Sequence, residues 1–295
     1  MSEFYVNPGS DLQTILDTAR PGDTLRLGSG DFRQKVVIRT PGLTLVGAGA
    51  GKTRILWDDY AKKIHADGKE YNTFRTWTVA VCTDGVTMED LAIVNDSLQP
   101  EEKGQEVALT VYGDHFTMTR CRLTSTQDTL FVGPLPRDLI ERYDGFLPDE
   151  LRVDRNLSQT FRECLIEGTV DFIFGCGKAL FDRCEIRSLV DARDLGYVAA
   201  PAHSREDAPG LRDGLTFRGC AFSCQEGVTP GSIYLARPWR DYGLCDFEDC
   251  TYGPHIAPEG FDKWNDTHRD QTARFFETPP VAGRVNWCNQ ADRLT

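Results

Sequence analysis

The sequence predicts an all-β chain wound as a single-stranded parallel β-helix, and three observations carry that prediction. A short pattern recurs six times, a cysteine recurs at one position of it, and the β-rich runs between turns show no helical periodicity. The pattern is an apolar residue, two variable positions, Leu or Cys, another variable position, and a further apolar or aromatic residue. It reads Met88 to Leu91, Met118 to Cys121, Phe161 to Cys164, Phe181 to Cys184, Phe217 to Cys220 and Phe247 to Cys250.

Five of the 10 cysteines therefore share one repeat position, and Leu91 fills it in the remaining repeat. A free cysteine behaves as a small hydrophobe, so a ladder of them stacked in register inside a solenoid explains the recurrence. The alternative is a disulfide framework. A metal site would need Cys or His clustered at ligand spacing, and the 10 Cys and 5 His form no such cluster. Intervals between repeats are irregular, the longest running from Cys121 to Cys164, so loop lengths differ while strand cores stay alike. Gly, Asp and Asn turns between short runs favour stacked coils over βαβ units. One helix is predicted, near the start: Ser10 or Asp11 as N-cap, Leu12, Ile15, Leu16 and Ala19 at helical spacing, and a stop at Pro21-Gly22. It would cap the open end of the solenoid, where strand edges are otherwise unpaired. No Pro/Gly/Ser-rich linker breaks the pattern, so residues 1–295 read as one domain.

A net charge of -12 argues against nucleic acid or an anionic membrane as partner, since both would repel the chain. No apolar run approaches the length that spans a bilayer. The start has no basic segment followed by an apolar stretch, which places the chain as written in the cytoplasm; a processed mature form would instead be secreted. Nothing in the sequence sets an oligomeric state.

The same repeats align two carboxylates. Asp128 lies seven residues after Cys121 and Asp171 seven after Cys164. Equivalent positions in adjacent coils stand roughly 4.8 Å apart. Gln127-Asp128-Thr129-Leu130-Phe131 is echoed by Val170-Asp171-Phe172-Ile173-Phe174, so Phe131 and Phe174 should stack beside the carboxylates. Two like charges at such a distance cannot both ionise easily, which makes the pair a candidate acid and base. Its alternative is a solvent-facing turn ladder of aspartates. The same count from Cys184 reaches Asp191, which has no Phe pattern around it, so spacing alone is a weak filter.

Taken together, Gln105 to Leu109, Gln127 to Leu130, Gly168 to Gly175 and Arg237-Pro238-Trp239 stand in an order that resembles the pectin methylesterases. The similarity runs from about Asn7 to the C-terminal region, through Leu43 to Gly47, Thr73-Phe74, Met88 to Leu91 and His255 to Gly260. The resemblance implies a right-handed, pectin-lyase-like parallel β-helix with an open cleft. It implies Asp171 as nucleophile, Asp128 as general acid and then base, and Gln105 and Gln127 as donors to an oxyanion. Arg237 would bind Asp171, and Trp239, with Thr73, Phe131 and Phe174, would meet the substrate, a methylated oligo- or polygalacturonate. No metal or organic cofactor is called for. Departures from the family pattern are Phe32, Gln34, Cys176, Ala236, the stretch Gly196 to Ser204, and an enlarged loop from Pro134 to Leu157.

Two rivals share this fold and sugar: a polygalacturonase or lyase that breaks the chain, and a silent pectin-binding solenoid. The two glutamines suit an oxyanion better than a glycosidic oxygen. Gly47 to Thr53 resembles a phosphate loop, but Val46 occupies its first glycine position and no helix follows, so a turn is the better reading. Lone His115 and His203 fit solvent or loop hydrogen bonding, and Asn95-Asp96-Ser97 is a glycosylation acceptor only in a secretory pathway.

Overall fold

A computed structural model describes residues 2–97 and 104–294 of the chain. Met1, on which the cytoplasmic expectation turns, lies outside the described residues, which contain no helix long and apolar enough to cross a membrane.

Successive short strands fall in turn on three sheets, of 10, 8 and 7 strands among the described residues, and every pairing between strands is parallel. This is a right-handed parallel β-helix, and the repeat sets its register. Met88 pairs with Met118, Met118 with Phe161, Phe161 with Phe181, Phe181 with Phe217 and Phe217 with Phe247, all on the first sheet. The rings of Phe161, Phe181, Phe217 and Phe247 stack nearly parallel, with centroids 5.0, 4.7 and 4.9 Å apart.

The corner to the second sheet is made by one left-handed residue per coil. Asp90, Arg120, Glu163, Arg183, Gly219 and Asp249 have φ between 52° and 59°, and each directly precedes the Leu or Cys of the repeat. Cys121, Cys164, Cys184 and Cys220 turn inward there and are buried, and all 10 cysteines are free thiols. The stacked-hydrophobe expectation thus holds over the disulfide framework. One apolar cluster threads the solenoid from Val6 to Cys288. Phe181→Ala, in the middle of the aromatic ladder and fully buried, is expected to cost roughly 3–5 kcal/mol; a urea midpoint unchanged from wild type would contradict the ladder's role.

The predicted helix, α1, spans Leu12–Thr18 with Asp11 as N-cap accepting from the Thr14 amide at 3.0 Å. It buries Leu12 and Leu16 and closes the edge of the third sheet. Gln13 Oε1 accepts from the Val37 amide at 2.7 Å while its Nε2 donates to the Val37 carbonyl at 3.0 Å, satisfying a strand that lies at the edge of its sheet among the described residues. Gln34, one of the departures, accepts from the Leu12 amide at 2.8 Å and ties the cap down. Gly47 to Lys52 is a turn between strands Thr44–Val46 and Thr53–Trp57, with no helix behind it.

A second helix, α2 at Arg137–Arg142, sits in the enlarged loop and was not predicted. Six residues without a side-chain N-cap leave no periodic signal to read. This loop packs Leu135, Leu139, Tyr143, Leu147 and Leu151 onto the outer face of the third sheet, where Phe131, Phe174 and Ala200 form a separate apolar cluster with Phe74.

Candidate active site

The two aspartates project from the third sheet beside this cluster. Leu130 pairs with Ile173 and Phe131 with Phe174, and each aspartate precedes its paired leucine or isoleucine by two residues, as the count from the cysteines required. Both adopt left-handed backbone, φ 64° at Asp128 and 50° at Asp171, which Asp tolerates better than most residues. At Asp171 the register against the next strand shifts between Val170 and Ile173, so Asp171 and Phe172 form a bulge. Phe172 turns into the solenoid core, and Asp171 borders the cleft.

Asp171 is held by Arg237, whose Nε donates to Oδ1 at 2.8 Å and Nη2 to Oδ2 at 2.6 Å. The guanidinium lies between the rings of Tyr197 and Trp264, at 3.7 and 3.9 Å from their centroids. Such a bidentate, stacked arrangement is available to Arg and not to Lys. Both aspartates are buried, each residue 7 % exposed. Burial pushes Asp128 well above the ordinary carboxylate range, and the charge of Asp171 adds to it. Burial also raises Asp171, but the hydrogen bonds and charge of Arg237 oppose that rise. Both carboxyls are thus raised, Asp128 further, so of the two Asp128 is the one the site favours as proton holder and Asp171 the one it favours as anion.

A cleft of roughly 500 Å³ brings together Thr73, Gln105, Gln127, Asp128, Asp171, Phe174, Arg237 and Trp239. Eight of the nine residues singled out in the sequence thus meet in one cavity. Phe131 is the correction: it is fully buried behind that surface, against Phe74, Tyr112 and Phe174, because the enlarged loop roofs the sheet. Its ring touches Phe174 at 5.0 Å but at 57°, a tilted contact where a stack was predicted. Trp239 leans on Phe74 and Phe174 and presents its remaining surface to the cleft.

The wall also contains Leu139, Arg142 and Tyr143 from the enlarged loop, with Trp264 and Arg240, none of which the repeat indicates. Of the three arginines lining the cleft, Arg237 is committed to Asp171 and Arg240 to Asp138. Arg142 makes no ion pair or hydrogen bond among the described residues. His203 is buried, its ring within 3.0 Å of the Gly177 carbonyl, and burial lowers it to about 4; His115 is exposed. Neither touches the cleft.

A parallel β-helix carrying an arginine-clamped aspartate beside a second, buried one, with two glutamines in the same cleft, defines a candidate hydrolase of the solenoid class. The sequence pattern of the Pectinesterase family matches residues 18–135 and 147–289, and the chain belongs to that family. The interval it leaves out carries α2. The chain is 31% identical over 279 residues to Pectinesterase QRT1 of Arabidopsis thaliana, covering 90% of this chain and 64% of that protein. It is 30% identical over 259 residues to Probable pectinesterase 8 of the same plant, covering 85% and 58%. It thus spans less than two thirds of the length of these relatives. Among solved structures, pectin methylesterase from Yersinia enterocolitica superposes with a TM-score of 0.76 at 24% identity, covering 97% of this chain and 95% of that one. Pectin methylesterase from carrot gives 0.76 at 21%, covering 96% and 85%.

Proposed function

We propose that the protein hydrolyses methyl esters of galacturonate residues in pectin or oligogalacturonates, releasing methanol, with Asp171 as nucleophile and Asp128 as acid and then base. The observation that carries this reading is the unequal pair: a carboxylate gripped at both oxygens by Arg237 beside a buried carboxyl with no such clamp, whose hold on a proton burial strengthens.

An Asp171 oxygen attacks the ester carbonyl carbon, and the amide N–H groups of Gln105 and Gln127 hold the negative oxygen that develops. The Gln105 side chain has no other partner among the described residues, which leaves it available. As the tetrahedral intermediate collapses, Asp128 gives its proton to the leaving methoxide, and methanol departs from an acyl anhydride on Asp171. Asp128, now a carboxylate, takes a proton from water; the hydroxide attacks the sugar acyl carbon, and Asp171 leaves as carboxylate. Water is the only co-reactant. Trp239 offers an aromatic face for a sugar ring, and Arg142, which has no ion pair among the described residues, suits a uronate carboxylate on a neighbouring unit.

Gln105→Ala is expected to lower kcat for methanol release about 10²–10³-fold with little change in KM, the scale of one lost oxyanion donor. An unchanged kcat in that variant would remove Gln105 from the mechanism.

A further inference from the structure

Asp191, the residue that the seven-residue count picks out without any surrounding motif, has a partner that reaches the site. Its carboxylate accepts from Arg193 Nε at 2.7 Å, from Nη2 at 2.6 Å and from the Arg193 backbone amide at 2.9 Å. The remaining arm of that guanidinium, Nη1, donates to Gln127 Oε1 at 3.2 Å. A guanidinium has donors and no acceptor, so this contact can be made only by the carbonyl end of the amide. The NH2 end must then face the other way. The hydrogen bond of Gln127 to Asp128 favours the ionised carboxylate, as donation from Nε2 does.

Resting on the reading above, we propose that Arg193, locked in place by Asp191, is a positioning residue for catalysis: it fixes the Gln127 amide so that its N–H groups face Asp128 and the oxyanion. Without it a primary amide can rotate by half a turn at little cost and present its oxygen, which would repel an oxyanion instead of binding it. The chemistry explains why a three-point Asp191 grip is useful. Arg193 is about half exposed, and a long exposed side chain would otherwise spread over many rotamers. Asp191 shares only the seven-residue count with the two site aspartates: it lies in the loop before strand Gly196–Pro201, where Tyr197 stands opposite Val170, and it contributes one step removed from them.

The test is a cycle of Arg193→Ala and Gln127→Ala, alone and together, in the full chain, read as kcat and KM for methanol release from methylated galacturonan. Arg193→Ala is expected to lower kcat about tenfold with KM within twofold, and to have no further effect once Gln127 is alanine. Arg193→Lys should not restore the rate, because one ammonium cannot grip Asp191 bidentately and reach Gln127 as well. The pH profile of kcat is a second readout. The Arg193 charge favours ionisation of Asp128 and Asp171 alike, alongside Arg237 and against Asp262, so its loss should move both limbs of the profile to higher pH. An equal loss from Arg193→Ala in both backgrounds would show a general structural role and overturn the proposal. So would a wild-type kcat in Arg193→Ala beside an impaired Gln127→Ala, which would leave the oxyanion assignment standing. A wild-type kcat in Gln127→Ala would overturn both.

Discussion

Asp171→Asn is expected to reduce methanol release by roughly 10⁴-fold or more, the scale on which a hydrolytic site loses its nucleophile, while the solenoid stays folded. Asparagine has nearly the same shape and can still accept one hydrogen bond from Arg237. It cannot offer the second charge-assisted bond, nor an anionic oxygen to the ester carbon. Because Arg237 is mostly buried between Tyr197 and Trp264, neutralising its partner has a structural cost, bounded at about 3–5 kcal/mol by the full loss of a buried pair. The aromatic ladder and core on the far side of the sheet are untouched, so far-ultraviolet circular dichroism should match wild type. Near-normal turnover in a folded Asp171→Asn protein would remove Asp171 as nucleophile.

Asp128→Asn carries the second large effect, in two measurements of opposite sign. Without a proton to give the methoxide, kcat should fall about 10²–10⁴-fold. The wild-type rate should fall at low pH as Asp171 gains a proton and at high pH as Asp128 loses its own; the variant should lack the high-pH limb. Stability should move the other way. The unfolded chain releases the Asp128 proton at the ordinary carboxylate value, whereas the folded chain holds it until well above that value. Between the two, the unfolded state binds fewer protons, so wild-type stability falls as pH rises. Asparagine has no proton to lose, and the thermal midpoint of the variant should exceed that of wild type by a margin that grows with pH across this window. A constant margin would show that Asp128 is not held protonated by the fold.

Much of this was legible because a solenoid repeats its instructions. The apolar-to-cysteine spacing gave both the register and the alignment of Asp128 with Asp171, since parallel coils place equal counts side by side. The left-handed corner residue was hidden in a position that tolerates Asp, Arg, Glu and Gly alike, because only its backbone matters. Phe131 was misplaced for a different reason. Its neighbours in the strand mark it as outward-facing, and only the three-dimensional course of residues 134–157 shows that the outer face is covered. Trp264, Tyr197 and Arg193 come from irregular loops or a shifted strand, where no repeat position constrains them. The phosphate-loop echo at Gly47 to Thr53 failed on the absent helix, as its first position indicated.

The same fold and a similar pair of carboxyls could serve chain cleavage, so the most direct measurement follows three products in one sample of highly methylated pectin: methanol, new reducing ends and unsaturated sugar. Methanol release with no new chain ends and no unsaturated product is the expected result. Chain ends or unsaturated sugars appearing without methanol would contradict it and transfer Asp128 and Asp171 to cleavage of the galacturonan backbone.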